Sequence, residues 1–484
     1  MSDIRNVAVI DIGKTNAKVI LYDLEKGREV DTRSKRNVVT GDSPYPHFEV
    51  DDLFGFILEA LAAFQDQHGV DAISVTTHGA TAALLKRDGT LALPVLDYEH
   101  TGPDETREDY EKLRPPFAET GSPRLAMGLN VGAQLFWQKT RFPDQFAEID
   151  CILPYPQYWG FRLTGRRAGE ATSWGCHTDL WSPRSRTFSS LVGELGLFGK
   201  MGELVKADDK LGEVLPEIAK KTGLAAACPV FAGIHDSNAS LLPHLWSRAQ
   251  PFSVVSTGTW VIAMAVGGHP PALDESRDTL INVNAYGDPV PSARFMGGRV
   301  FEVAAPGGEV AVTEDDRKAM LKNRIMMMPS VLGDTGPFQG IIGGWTVDEH
   351  HLTPGMRLLG VSWYLALMTA ICLDLTGASG PVIVEGPFAE NHDYLSMLSA
   401  ATGRPVEKSP GSGTSAGGCA QSASEHRPAP ACRTGSGRHG APGCGRCLPL
   451  DRAGSPPGPV GGARRGEGCR SAPVRPGRHG QFRP

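Results

Sequence analysis

The sequence predicts an α/β protein of two similar lobes flanking a cleft. Three observations carry that expectation. The chain has 484 residues, enough for two or three units of ordinary domain size. Its first half opens on a strand, a tight turn and a strand, and then continues with a helix and a further strand. Its second half repeats that opening with different residues.

The elements follow in order. Residues 7–12 (VAVIDI) are a short apolar run, residues 13–16 (GKTN) carry turn chemistry, and residues 17–22 (AKVILY) resume with β-branched and aromatic side chains. Leu53, Phe54, Ile57, Leu58, Leu61 and Phe64 recur at helical spacing behind the acidic start Asp51-Asp52. Residues 71–77 (DAISVTT) read as a strand running into His78 and Gly79. That order makes a mixed sheet with a helical cover. In the second half, residues 252–256 (FSVVS) and 260–266 (WVIAMAV) are strands around Thr257-Gly258-Thr259. Residues 358–373 read as a buried helix shorter than a membrane span, residues 381–385 as a strand and residues 392–402 as a helix.

A net charge of -6 argues against a nucleic-acid-binding surface. The start of the chain is polar and lacks the layout of a signal peptide, so a cytoplasmic location without membrane attachment is expected. Cys151, Cys176, Cys228 and Cys372 stand singly in apolar or mixed contexts, as reduced core thiols do. From Gly418 onward the composition changes: 11 Arg, no Lys, 14 Gly and 10 Pro. Such a segment has too few large apolar residues to offset its ordering entropy. Three origins are open: a disordered arm for an anionic partner, a metal module around Cys444 and Cys447, or out-of-frame translation of a GC-rich gene. The expected divisions are 1–246, 247–417 and 418–484.

Gly13-Lys14-Thr15 also ends a Walker A loop. That motif requires glycine five residues before the Gly-Lys pair, where Ala8 stands, and a helix afterwards, where a strand is expected. In a hairpin turn the same residues take other work. Backbone N–H groups of Gly13, Lys14, Thr15 and Asn16 and the Thr15 hydroxyl can face a polyphosphate, with Lys14 or Lys18 supplying charge. Asp11 can then hold the accompanying metal, directly or through water. The alternative is a solvated hairpin tip. Thr257-Gly258-Thr259 is a second turn of the same kind.

Together these segments resemble the FGGY carbohydrate kinases, in particular their rhamnulokinase- and fuculokinase-like branch. The resemblance runs from about Val7 to about Gly417 and implies two actin-like (ribonuclease H-like) ATPase lobes, the first for sugar and the second for nucleotide. Residues 11–18 look like the family's first phosphate loop and residues 256–260 like its second. Residues 232–239 (AGIHDSNA) are similar to the G-x-x-D segment whose aspartate is the catalytic base, here Asp236. Read alone, Asp236 would be the N-cap of the helix that follows.

The resemblance implies ATP and Mg²⁺ as cofactors and a sugar substrate, and it leaves a homodimer open. Gly386, Asn391 and Gly417 fall where the family contacts nucleotide, although Glu385 departs from the usual Gly-Gly. After residue 417 the family continues with an alanine-rich helix that closes the adenine pocket, and here the anomalous tail begins. His78, Thr81, Asp97, Tyr98, Trp174 and His177 are the implied sugar residues, with Glu170 nearby; family members often have aspartate where Thr81 stands. His78 and His177 read equally as hydrogen-bonded core histidines, and Trp174 as a stacking face or core filling. The implied reaction is ATP-dependent phosphorylation of a ketose or deoxyketose such as L-rhamnulose, L-fuculose or a pentulose. A non-catalytic or chaperone-like ATPase and an inactive truncated kinase are the alternatives.

Overall fold

The strand-turn-strand pattern at the start of each half forms the centre of a separate β-sheet in the computed structural model, which describes residues 4–41 and 43–409. In the first lobe, β1 (Asn6–Ile12) and β2 (Asn16–Asp23) form an antiparallel hairpin. β3 (Arg28–Arg36) adds antiparallel to β2 and closes that side with a charged, mostly exposed edge. After helix α1 (Val50–Gln67), β4 (Ala72–Thr77) returns parallel to β1 and is buried throughout. All six residues expected on the apolar stripe of α1 are buried. Helix α2 (Tyr155–Thr164) packs on the same side, sharing a core with α1. β5 (Lys210–Glu213), β6 (Pro229–Phe231) and the short β7 (Ile234–His235) complete a seven-stranded sheet, in which β6 and β7 both pair with β4.

Helix α3 (Asp236–Ser247) then leads into the second lobe. There β8 (Phe252–Thr257) and β9 (Val261–Val266) repeat the hairpin. β10 (Thr279–Val283) and β11 (Pro289–Phe295) extend it antiparallel beyond β9. Helix α4 (Pro354–Leu375) precedes β12 (Val382–Glu385), which lies parallel to β8 as β4 lies parallel to β1. Helix α5 (His392–Thr402) and β13 (Val406–Lys408) complete a six-stranded sheet. The duplication expected from two Gly/Thr turns is thus a duplication of sheet topology.

α4 corrects one expectation. It has 22 residues rather than the shorter run of residues 358–373, and by length and composition alone it could cross a membrane. Of its most apolar window, 67% is buried inside the protein, where Val361, Leu365, Cys372 and their neighbours cover the second sheet. Thr353 caps its first turn by accepting from the Met356 N–H. Cys151, Cys176, Cys228 and Cys372 are all buried thiols.

Candidate active site

Beside the first hairpin turn, a cavity of about 380 Å³ collects residues from both halves, although Thr257, Gly258 and Thr259 of the second turn are not among those that line it. Asp11, Gly13, Thr15, Asn16 and Lys18 come from the first hairpin, Asp236, Ser237 and Ser240 from α3, and Ser256 from β8. Asp11 and Lys18 are opposite one another in the β1–β2 ladder, which puts both side chains on one face. The turn between them is closed by Gly13 N–H donating to the Asn16 carbonyl at 2.9 Å. Asn37, which the sequence did not single out, pins it from outside: its side-chain amide donates to the Gly13 carbonyl at 2.8 Å and its N–H to the Thr15 carbonyl at 2.8 Å. No local pattern marks Asn37, because its role depends on β3 folding back beside the turn.

Burial, followed by the charge of Asp236, pushes the Asp11 carboxyl up to about 6, with Lys18 pulling the other way. The pair of carboxylates therefore stands short of positive charge, and a divalent cation would supply it. Among the described residues no group of three or more His, Cys, Asp or Glu side chains forms a metal cage. That suits Mg²⁺, which is usually held by one or two carboxylates together with phosphate and water.

Lys14 differs from the rest of its loop. Its ammonium is paired with Asp97 and lies 3.3 Å from Glu99, above the rings of Phe48 and Tyr98. The charge facing the cavity is that of Lys18, and Lys14 serves the opposite side of the turn.

The segment carrying Asp236 crosses the end of β4. Gly233 has φ +84°, and a Cβ there would lie 2.7 Å from the Val75 carbonyl, so only glycine lets the chain pass so close. β7 then pairs with Thr76 and Thr77. Asp236 is the first residue of α3 and not its N-cap, a position taken by His235. Its carboxylate accepts from the Ser237 N–H at 2.6 Å and stands in the helix's first turn, where the dipole favours negative charge.

Beside Asp236 lies a polar wall formed by the end of β4 and the residues after it. His78 is buried, its Nδ1 sits 2.9 Å from the Gly79 carbonyl, and burial pushes its ring down to about 4. The ring is therefore neutral, with Nδ1–H donating and Nε2 left as an acceptor. His78 Nε2, Thr76 Oγ1 and Thr81 Oγ1 have no hydrogen-bond partner among the described residues. Tyr98 meets His78 edge-on, with ring centroids 5.3 Å apart. His177 Nδ1 is spent on the Leu129 carbonyl at 2.8 Å. Trp174 is 1% exposed, so of its two readings the structure selects core filling.

In the second lobe, the Gly258 N–H closes its turn on the Trp260 carbonyl at 2.9 Å, and the Gly298 N–H holds the Thr259 carbonyl at 3.1 Å. The Thr257 hydroxyl donates to the Glu385 carbonyl and accepts from the Phe388 N–H at 3.1 Å, joining the turn to Gly386. Asn391 uses both ends of its amide within the protein: Oδ1 caps α5 at the Tyr394 N–H, and Nδ2 donates to Ser362. Gly417 lies outside the described residues.

Two hairpin-centred lobes sharing a cavity beside the first turn define the actin-like ATPase fold. Residues 7–243 match the N-terminal domain of the FGGY family of carbohydrate kinases, and residues 249–431 match "Carbohydrate kinase FGGY, C-terminal domain". The chain belongs to that family. It is similar to the solved structure of a carbohydrate kinase from Novosphingobium aromaticivorans, with a TM-score of 0.81 and 36% identity over 88% of this chain and 92% of that one. Among curated proteins it is 27% identical to an L-fuculokinase of Salmonella typhi over 54% of this chain and 57% of that enzyme. It is 24% identical to a rhamnulokinase of Bacteroides thetaiotaomicron, over 58% of this chain and 59% of that enzyme. The chain thus spans somewhat more than half the length of these curated relatives.

Proposed function

We propose that this chain transfers the γ-phosphoryl group of ATP to a hydroxyl of a ketose or deoxyketose such as L-rhamnulose, L-fuculose or a pentulose, with Asp236 as general base. The observation that carries this reading is the shared cavity: Asp236 lines the same space as Asp11, Gly13, Thr15, Asn16 and Lys18. Phosphoryl transfer asks little covalent chemistry of a protein; it asks for position and charge neutralisation. The first turn and Ser256 of the second lobe face the phosphates, Lys18 adds charge, and the Asp236 carboxylate accepts the proton of the attacking hydroxyl. Asp11 would hold Mg²⁺, whose chemistry is to neutralise charge on the phosphates.

Support for a sugar acceptor comes from the wall next to Asp236. Three buried polar atoms, those of Thr76, His78 and Thr81, lack protein partners, and buried polar groups ordinarily have them. A polyhydroxylated ligand matches that set. Similarity to an L-fuculokinase and a rhamnulokinase supports the deoxyketose class. The test is sugar-stimulated ADP production across a panel of ketoses and polyols. Asp236→Asn should lower turnover by roughly 10²- to 10⁴-fold while sugar binding persists. Unchanged turnover in that variant sinks the assignment of the base.

A further inference from the structure

Helix α3, which begins with Asp236, is held by both lobes. Its Ala239 and Leu242 pack with Ala207 and Ile234 of the first lobe, and its Leu241 packs with Phe252, Val254 and Ile383 of the second sheet. Side chains alternate along β12: Val382 and Val384 join the core beneath α4, whereas Ile383 faces Leu241. Glu385 follows Ile383 by two residues and stands on the same face. One turn beyond Leu241, His244 Nε2 meets Glu385 Oε1 at 2.8 Å, and both side chains are buried.

The apolar contact of Leu241 with Ile383 is non-directional and tolerates sliding. A hydrogen bond between two buried side chains is directional and specifies register. Ser409 Oγ, 3.2 Å from the same carboxylate oxygen, helps to hold Glu385 in place. Glu385 is also tied to the cavity. It stands opposite Ser256 in the β8–β12 ladder, and its carbonyl accepts from the Thr257 hydroxyl. Ser256 and Asp236 line one cavity. The contact of His244 with Glu385 therefore closes a ring of elements, from Asp236 along α3 to β12 and across the ladder back to Ser256.

We infer that His244 and Glu385 are positioning residues for phosphoryl transfer: their hydrogen bond fixes the register of α3 against β12, and through it the place of Asp236 relative to Ser256. This role rests on the kinase reading above. The register itself does not. Glu385→Asp keeps the charge and withdraws it by one methylene, whereas Glu385→Gln keeps the length and an acceptor oxygen. In the full chain, kcat of Glu385→Asp should fall about tenfold or more with KM for ATP and for the sugar within about twofold, and Glu385→Gln should stay within about threefold of the parent. Without ligands, the amides of α3 should exchange at least about fivefold faster in Glu385→Asp, while those of β1 keep the parent's rates within about twofold. His244→Asn, which withdraws the donor, should reproduce both effects and decides the matter if Glu385→Asp does not fold. An undiminished kcat in the shortened variants overturns the inference, as does an equal loss in Glu385→Gln or a faster exchange that β1 shares. If no sugar supports turnover in the parent, the kinase reading and the positioning role fall together, and the exchange rates still decide the register.

Discussion

The Lys14 ammonium is paired with the Asp97 carboxylate, 83 positions further along the chain. A residue of the first turn therefore reaches away from the cavity to the wall that carries His78 and Tyr98. Lys14→Met should raise KM for the sugar about tenfold and leave KM for ATP within about twofold. Initial rates with each substrate varied separately check this, and a larger effect on ATP would place Lys14 with the phosphates after all.

Gly386 occupies a position that no other residue fits. Its φ is +80°, and a Cβ there would lie 1.9 Å from the Thr257 carbonyl oxygen. Gly386→Ala should cost about 3 kcal/mol in stability through strain and a forced separation of the two segments. Nucleotide binding should weaken with it. Urea unfolding and ATP titration of the same preparation measure the two effects.

Glu385, which replaces a glycine of the family's usual pair, is buried against His244 Nε2 at 2.8 Å and Ser409 Oγ at 3.2 Å. Truncation leaves a buried imidazole and a buried hydroxyl without this partner. Glu385→Ala should therefore destabilise the protein by about 2–3 kcal/mol, and Glu385→Gln by less, since an amide oxygen can still accept from His244. Equal losses in the two variants would show that shape and not hydrogen bonding is what Glu385 contributes.

Glu170 is expected to make stability fall as pH rises. Burial pushes its carboxyl from 4.5 up to about 7, against the hydrogen bonds it accepts from Thr172 and Ser173. Between those values the native state holds a proton that the unfolded chain has released, so the native state is disfavoured progressively as pH climbs from about 4.5 to about 7. Glu170→Gln removes this titration. Subtracting the urea midpoints of the two proteins across that range should expose the slope, and parallel profiles would refute it.

Much of the fold was legible because its signals are local. The alternation of apolar runs with GKTN and TGT turns marks both hairpins, and six apolar positions at helical spacing mark α1; each resides in a stretch that one element occupies. Asp236 stood out through the resemblance of residues 232–239 to the G-x-x-D segment, since its local context alone reads as a helix N-cap. Trp174 was not resolved this way, since a large aromatic side chain looks the same in sequence whether it lines a pocket or fills a core. The extent of α4 was underestimated because residues 354–357 include Pro354 and Gly355, which fit a helix's first turn as well as a loop.

Sequence by itself determined the repeated strand-turn-strand plan and the loop residues Gly13 to Asn16. Tertiary structure alone decided how those residues are partnered. Lys14 meets Asp97, Asn37 pins the first turn, Glu385 meets His244, and Cys176 Sγ lies 3.5 Å from His235 Nε2. The physical reason is reach: backbone preference and apolar periodicity act within a few residues, whereas each of these contacts joins segments that only sheet register and helix packing bring within hydrogen-bond distance.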